Sequence, residues 1–223
     1  MGEGIEREVL QTAFQEFQNH PTIWFLQRQE DHASLMTLGL QRREESSTTQ
    51  RSIKLSVLGA LTSLLLLNGL PPVPISPVLL HYFIHDSDLN SITPDLLGNW
   101  YPNLGKLMQE WIAAGPNGDI GVFSSHFSTY HDTQVSYCIF FISFILFNIQ
   151  ISSLASRDEV THNLLGCEML YRAIIGTAPP DHPDIHAFLR GFHLPCHNGY
   201  RFTDVSVSCD FSFPFILTYL LSS

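Results

Sequence analysis

The residues of this chain that could do chemistry are its histidines and cysteines. His182-Pro-Asp-Ile-His186 has the spacing that places two imidazoles on one helix face, and Cys196-His197 follows ten residues later. A zinc site would use such donors. Pro183 stands inside the pair at a helix start, and no paired cysteines accompany it, so the spacing reads as surface histidines beside a loop. Cys196 next to His197 has the neighbours of a reactive thiol, yet a free cysteine is usually a small core residue, and that is its reading here. His126 and His131 read as loop histidines. Neither a P-loop, a dinucleotide fingerprint, a serine-nucleophile elbow nor HExxH occurs. No residue is therefore assigned a catalytic, cofactor-binding or metal-ligating role.

Composition narrows the field. With 223 residues the chain can bury a sizeable core, and 44% hydrophobic content is in the globular range. A net charge of −10 argues against nucleic-acid binding, which needs a basic face. The four cysteines (Cys138, Cys167, Cys196, Cys209) are widely spaced without CxxC. That pattern is no disulfide framework and fits a reducing, cytoplasmic or nuclear compartment. The N-terminal stretch is polar and acidic, unlike a signal peptide, and Glu6 stands where a myristoylated chain carries Ser or Thr.

The elements that would position these residues are mostly helices. Residues 4–19 place Ile5, Val9, Leu10, Ala13, Phe14 and Phe17 on one face, and Pro21 ends the helix. Residues 41–50 read as an exposed loop. Residues 53–67 form a helix apolar nearly all round, closed by Asn68-Gly69 and short for a membrane span. After a proline-rich stretch, Ser76-Pro77 starts a helix with Val78, Leu79, Tyr82 and Phe83 inward. Further helices are expected over 89–97, 103–114, 158–176 with Asp158 as cap, and 184–191. The fold class is mainly α, with minor strands.

One run does not belong with its neighbours. Val135 to Gln150 carries no charge and no proline, and it is crowded with Phe and Ile between soluble flanks. A bilayer-spanning helix needs roughly 20 apolar residues, more than the run supplies. Val-Ser is also what GTA-AGT or GTG-AGT encodes, a splice-donor sequence, and a terminal Gln can be CAG, an acceptor. Residues 135–150 therefore read as a retained intron. Val205-Ser206-Val207-Ser208 opens a second such stretch, the apolar tail 205–223. An apolar core strand and a tail are the plain alternative.

The order of segments resembles the HECT domain of ubiquitin ligases. Gly4-Ile-Glu-Arg-Glu8 is similar to the start of its N-lobe. Leu58-Gly-Ala-Leu-Thr-Ser-Leu-Leu-Leu-Leu-Asn-Gly69 resembles the central N-lobe helix, and Leu70 to Phe83 its Pro-rich exit. Ile92-Thr-Pro-Asp-Leu-Leu97, Tyr101-Pro-Asn-Leu-Gly-Lys-Leu107 and Phe188-Leu-Arg-Gly-Phe192 take the later places in order. The resemblance covers about residues 4–200 and implies a largely helical N-lobe over 1–204 that docks a ubiquitin-conjugating enzyme, with the surface expected around 115–175. The family passes ubiquitin through a cysteine in a Thr-x-x-Cys setting on its C-lobe. No such motif stands here, and Cys196 follows Leu-Pro instead of preceding it, so the chain is expected to be a fragment without transfer activity. Two rival readings stand beside this one. The first is a small membrane-associated helical protein using 55–67 and 135–151, and the second is a helical interaction module without catalysis.

Overall fold

The computed structural model describes residues 3–26, 36–41, 49–119, 123, 157–176 and 178–193. They form a mainly helical body with one two-stranded ribbon, as the mainly α expectation has it. In chain order the elements are α1 (Glu3–Gln18), α2 (Pro21–Trp24), β1 (Phe25–Leu26), β2 (Thr37–Leu38), α3 (Thr49–Leu67) and α4 (Pro77–Ile84). A 3-10 turn (Leu89–Ser91), α5 (Pro94–Trp100), α6 (Pro102–Ala114), α7 (Glu159–Ile174) and α8 (Pro183–Phe192) follow.

Prolines set many of the starts. A missing N–H and a fixed φ suit the first helical turn, and α2, α4, α5, α6 and α8 each carry Pro there. Pro21 therefore opens a short helix; α1 has already ended at Gln18. The expected single helix over 89–97 is two pieces. Thr93 accepts a hydrogen bond from the Leu96 N–H and restarts the chain as α5. Asp158 caps α7 by accepting from the Thr161 N–H at 2.7 Å.

In α3 the helix begins at Thr49, four residues before the apolar run. At 19 residues it is long and apolar enough to cross a membrane by length and composition. It is nevertheless packed as a core helix, between α8 on one flank and α1 on another. Leu55, Leu58, Thr62 and Leu65 are buried, and Thr62 Oγ1 donates to the Leu58 carbonyl. Against them lie Phe83 of α4 and Phe188 and Phe192 of α8, with ring centroids 5.3–6.3 Å apart.

The α3–α8 contact is unusually close because each helix presents a glycine to the other's backbone. A Cβ on Gly59 would lie 2.8 Å from the Phe192 nitrogen, and one on Gly191 would lie 2.6 Å from the Ser56 carbonyl carbon. Only hydrogen fits at both places.

On α1, Phe14 and Phe17 are buried, whereas Val9 is 60% exposed and faces away from the core. The ribbon pairs Phe25 with Leu38 and Leu26 with Thr37, antiparallel. Met36 extends it by bonding Pro74 and Ser76 backbone groups, which tethers the ribbon to the loop before α4.

Candidate functional site

Two arginines, Arg51 partly buried and Arg157 buried, organise the described residues. Arg51, on the first turn of α3, reaches Asp184 on the first turn of α8. Its Nε donates to Asp184 Oδ2 at 3.1 Å and its Nη2 lies 3.0 Å from the same oxygen. Nη2 also donates to the Gly39 carbonyl, Nη1 to the Ile23 carbonyl, and the guanidinium lies over the Trp24 ring. The Gln41 N–H donates to Asp184 Oδ2 at 2.8 Å. His182 completes the group. As N-cap of α8 its Nδ1 accepts from the Asp184 N–H, and Nε2, which must then carry the proton, donates to the Gln41 carbonyl at 2.7 Å.

The sequence reading of His182 and His186 as surface histidines thus holds for His186, which is exposed. His182 is buried, because a capping side chain must turn back over the helix end. The HxxxH spacing does not bring the two rings together on one face; one member caps the helix and the other lies on it.

Asp184 is a fully buried carboxylate whose attraction to Arg51 offsets its desolvation. Asp184→Ala is expected to lower stability by about 3–5 kcal/mol by stranding the guanidinium. Urea unfolding of the variant beside Glu110→Ala, whose pair with Lys106 is exposed and worth about 1 kcal/mol or less, checks this. Equal shifts in the two variants would contradict it.

The second cation is Arg157. Its Nη2 donates to the Gly115 carbonyl and Nη1 to the Gly118 carbonyl, at 2.7 and 3.0 Å. Nε donates to His162 Nδ1 at 3.0 Å. Trp111 lies under both groups, stacked on the His162 ring at 4.3 Å with the guanidinium 4.9 Å from its centroid. Phe123 meets Trp111 edge-on. One buried arginine therefore joins the turn after α6 to the start of α7. Apart from Phe123, the described residues break after Asp119 and resume at Arg157, whose guanidinium bonds the Gly118 carbonyl.

Burial first, and then the Arg157 charge, push the His162 pKa down, while a hydrogen bond to the Trp111 backbone pulls it up. The unfolded imidazole titrates near 6.5, so below about pH 6.5 the unfolded chain binds more protons than the folded one. Stability is then full above that pH and falls as pH drops toward the lowered folded value. His81 adds to the same trend, since burial and then His85 lower it too. Urea midpoints between pH 7.5 and 5.5 are expected to fall, and His162→Gln is expected to flatten the profile in part. A profile identical to that of the parent would contradict a buried neutral His162.

The surface over α3 is apolar. Ile53, Val57, Leu64 and Leu67 are 42–57% exposed and share one stripe along the helix. At its N-terminal half a shallow groove of about 620 Å³ is lined by Thr49, Ser52, Ile53, Ser56, Val57, Pro183 and Arg190. Arg190 Nη2 donates to Ser52 Oγ across it. On α6 and α7 Ile112 and Val160 are also exposed, at 59% and 66%. Such surface suits partner contact. Among the described residues no group of three or more His, Cys, Asp or Glu side chains converges as metal ligands would.

The remaining candidates divide simply. Cys167 is a free, half-buried thiol whose pKa is pushed up by burial and by Asp88, which keeps it protonated and unreactive. Cys196, His197, His126, His131, the run 135–150 and the tail 205–223 lie outside the described residues, as does most of the expected docking segment 115–175. The Arg51–Asp184 and Arg157–His162 groups escaped sequence reasoning. The first joins residues 133 apart in the chain, a pairing that no local pattern announces.

No family model, curated protein or solved structure matches this chain.

Proposed function

We propose that this chain is a helical docking scaffold of the HECT N-lobe kind, which holds a ubiquitin-conjugating enzyme and does not itself carry ubiquitin as a thioester. The observation that supports this most is the α3–α8 contact. Leu58–Gly69 and Phe188–Phe192 are the most widely separated of the later motifs of the resemblance, and they pack on one another through Gly59 and Gly191. The contact joins these two motifs in one packing unit. A cytoplasmic or nuclear location goes with this reading.

The test is binding and transfer in one experiment. The immobilised chain is exposed to a panel of ubiquitin-conjugating enzymes, each free and ubiquitin-charged. Saturable micromolar binding to some members is expected, without a reductant-sensitive ubiquitin adduct on the chain. Failure of every member to bind would sink the docking role. A reductant-sensitive adduct would sink the non-catalytic half.

A second reading draws on the exposed stripe Ile53–Val57–Leu64–Leu67. It suits a helical interaction module with a different protein partner, and such a module would bind none of the panel.

A further inference from the structure

The exposed side chains Ile53, Val57, Leu64 and Leu67 follow one line along α3. Steps of four, seven and three residues return to nearly the same angle on a helix. The line is about 21 Å long at the helical rise, a length that four turns of a second helix would cover.

Charge is distributed unevenly around it. The chain has 21 acidic and 11 basic residues, yet α3 carries no Asp or Glu, and α8 carries only Asp184. That carboxylate is buried and bound to Arg51. The other Lys and Arg side chains of the two helices, Lys54 and Arg190, are exposed. Neither pairs with a carboxylate among the described residues. Arg190 stands in the wall of the groove, where its Nη2 donates to Ser52 Oγ at 3.0 Å. The N-terminal end of the apolar line is therefore positive, and α3 from Leu55 to Leu67 is uncharged.

We propose that this face of α3 docks an amphipathic helix of a partner protein, one whose apolar stripe is bounded at one end by Asp or Glu. Recognition of a helix in a groove uses apolar anchors spaced by three, four and seven residues. Those anchors lie against Val57, Leu64 and Leu67, and the acidic end lies over Ile53, beside Arg190 and Lys54. An exposed ion pair adds little affinity, so the apolar line holds the partner while the two cations select it and fix its direction. A basic helix would meet like charge there. The proposal deepens the interaction-module reading of this stripe and rests on it.

The test exposes the immobilised full chain to three labelled amphipathic helical peptides about four turns long. They share one apolar face and end in paired Glu, Gln or Lys. The Glu peptide is expected to bind about threefold tighter than the Gln peptide, the size that exposed ion pairs supply, and the Lys peptide weakest. Arg190→Glu is expected to reverse that order. Val57→Asp is expected to weaken all three by about tenfold, since it removes a buried apolar contact. Both positions are exposed, so circular dichroism of the variants is expected to match the parent. Equal affinity for the three peptides would overturn the acidic partner and leave the interaction-module reading standing. Failure of every peptide to bind would overturn both. Labelled full chain binding more tightly than any peptide, and losing affinity with Val57→Asp, would assign the stripe to a second copy and overturn the proposal as well.

Discussion

Removing residues 135–150 is expected to convert an aggregating chain into a monomer that unfolds in one cooperative transition. The described body is closed on either side of the run. Arg157 bonds the Gly115 and Gly118 carbonyls directly, so the two ends of the connection are held together by residues outside it. Trp111, Phe123, His162 and Arg157 seal that junction. Shortening a connection by less than half changes its closure entropy by about 0.6 kcal/mol or less. The apolar run, in contrast, supplies a contiguous sticky segment free of charge and proline, the composition that drives association. Light scattering behind size exclusion is expected to show polydisperse full chain and monodisperse deletion variant, with the thermal midpoint of the variant at or above that of any soluble parent. A deletion variant that loses its helical signal would show that the run belongs to the fold. A monodisperse, cooperatively melting full chain would remove the reason to delete it.

The second large effect is expected at the helix crossing. Gly191→Ala puts a methyl group against the Ser56 carbonyl and 2.9 Å from the Ala60 nitrogen. These neighbours are backbone atoms of a central helix and cannot turn aside as a side chain could. The helices must separate, which loosens Phe188 and Phe192 from Phe83 and Leu58. Overpacking of this kind costs about 1–3 kcal/mol and more where backbone must move, far above the gain of up to about 1 kcal/mol in helix propensity from Gly to Ala. Gly59→Ala is expected to behave alike. Gly98→Ala supplies the contrast, because a Cβ there meets nothing within 4 Å and the residue is exposed on α5. It is expected to stabilise by about 0.5–1 kcal/mol. Urea midpoints of the three variants should therefore fall on opposite sides of the parent. Gly191→Ala with a parental midpoint would mean that the helices do not cross as described.

Much of the helical framework was legible in the sequence because its signals are local. Apolar periodicity marked α1, α6 and α7, Asp158 announced its cap, and Ser76-Pro77 announced α4. Signals with two meanings were less secure. Pro21 suits both the end of one helix and the start of the next, and the structure uses it as a start. The polar residues Thr49 and Gln50 resemble loop, yet they extend α3 because its first turn projects Arg51 inward. Val9 and Val160 fit an apolar spacing but are exposed.

The candidate site was legible only in pieces. His182-to-His186 has a metal-like spacing, but capping turns His182 under the helix end. His81 and His85 have the same spacing, and their rings do meet, with His81 on the last turn of α4 and His85 as its C-cap. Asp184 and Arg51 stand far apart in sequence, and their pairing emerges only once α8 crosses α3. The glycines were visible as small residues, whereas the partner backbone that requires them is a tertiary fact.

We propose that one ligase-type helical body is interrupted at 135–150. The most direct test is to sequence the transcript across codons 130–155 and onward past codon 204. A message that lacks codons 135–150 and opens beyond 204 into a frame with a Thr-x-x-Cys motif is the predicted result. A message that matches the protein codon for codon would contradict it: the apolar run would then be genuine protein, and the interaction-module or membrane reading would take its place.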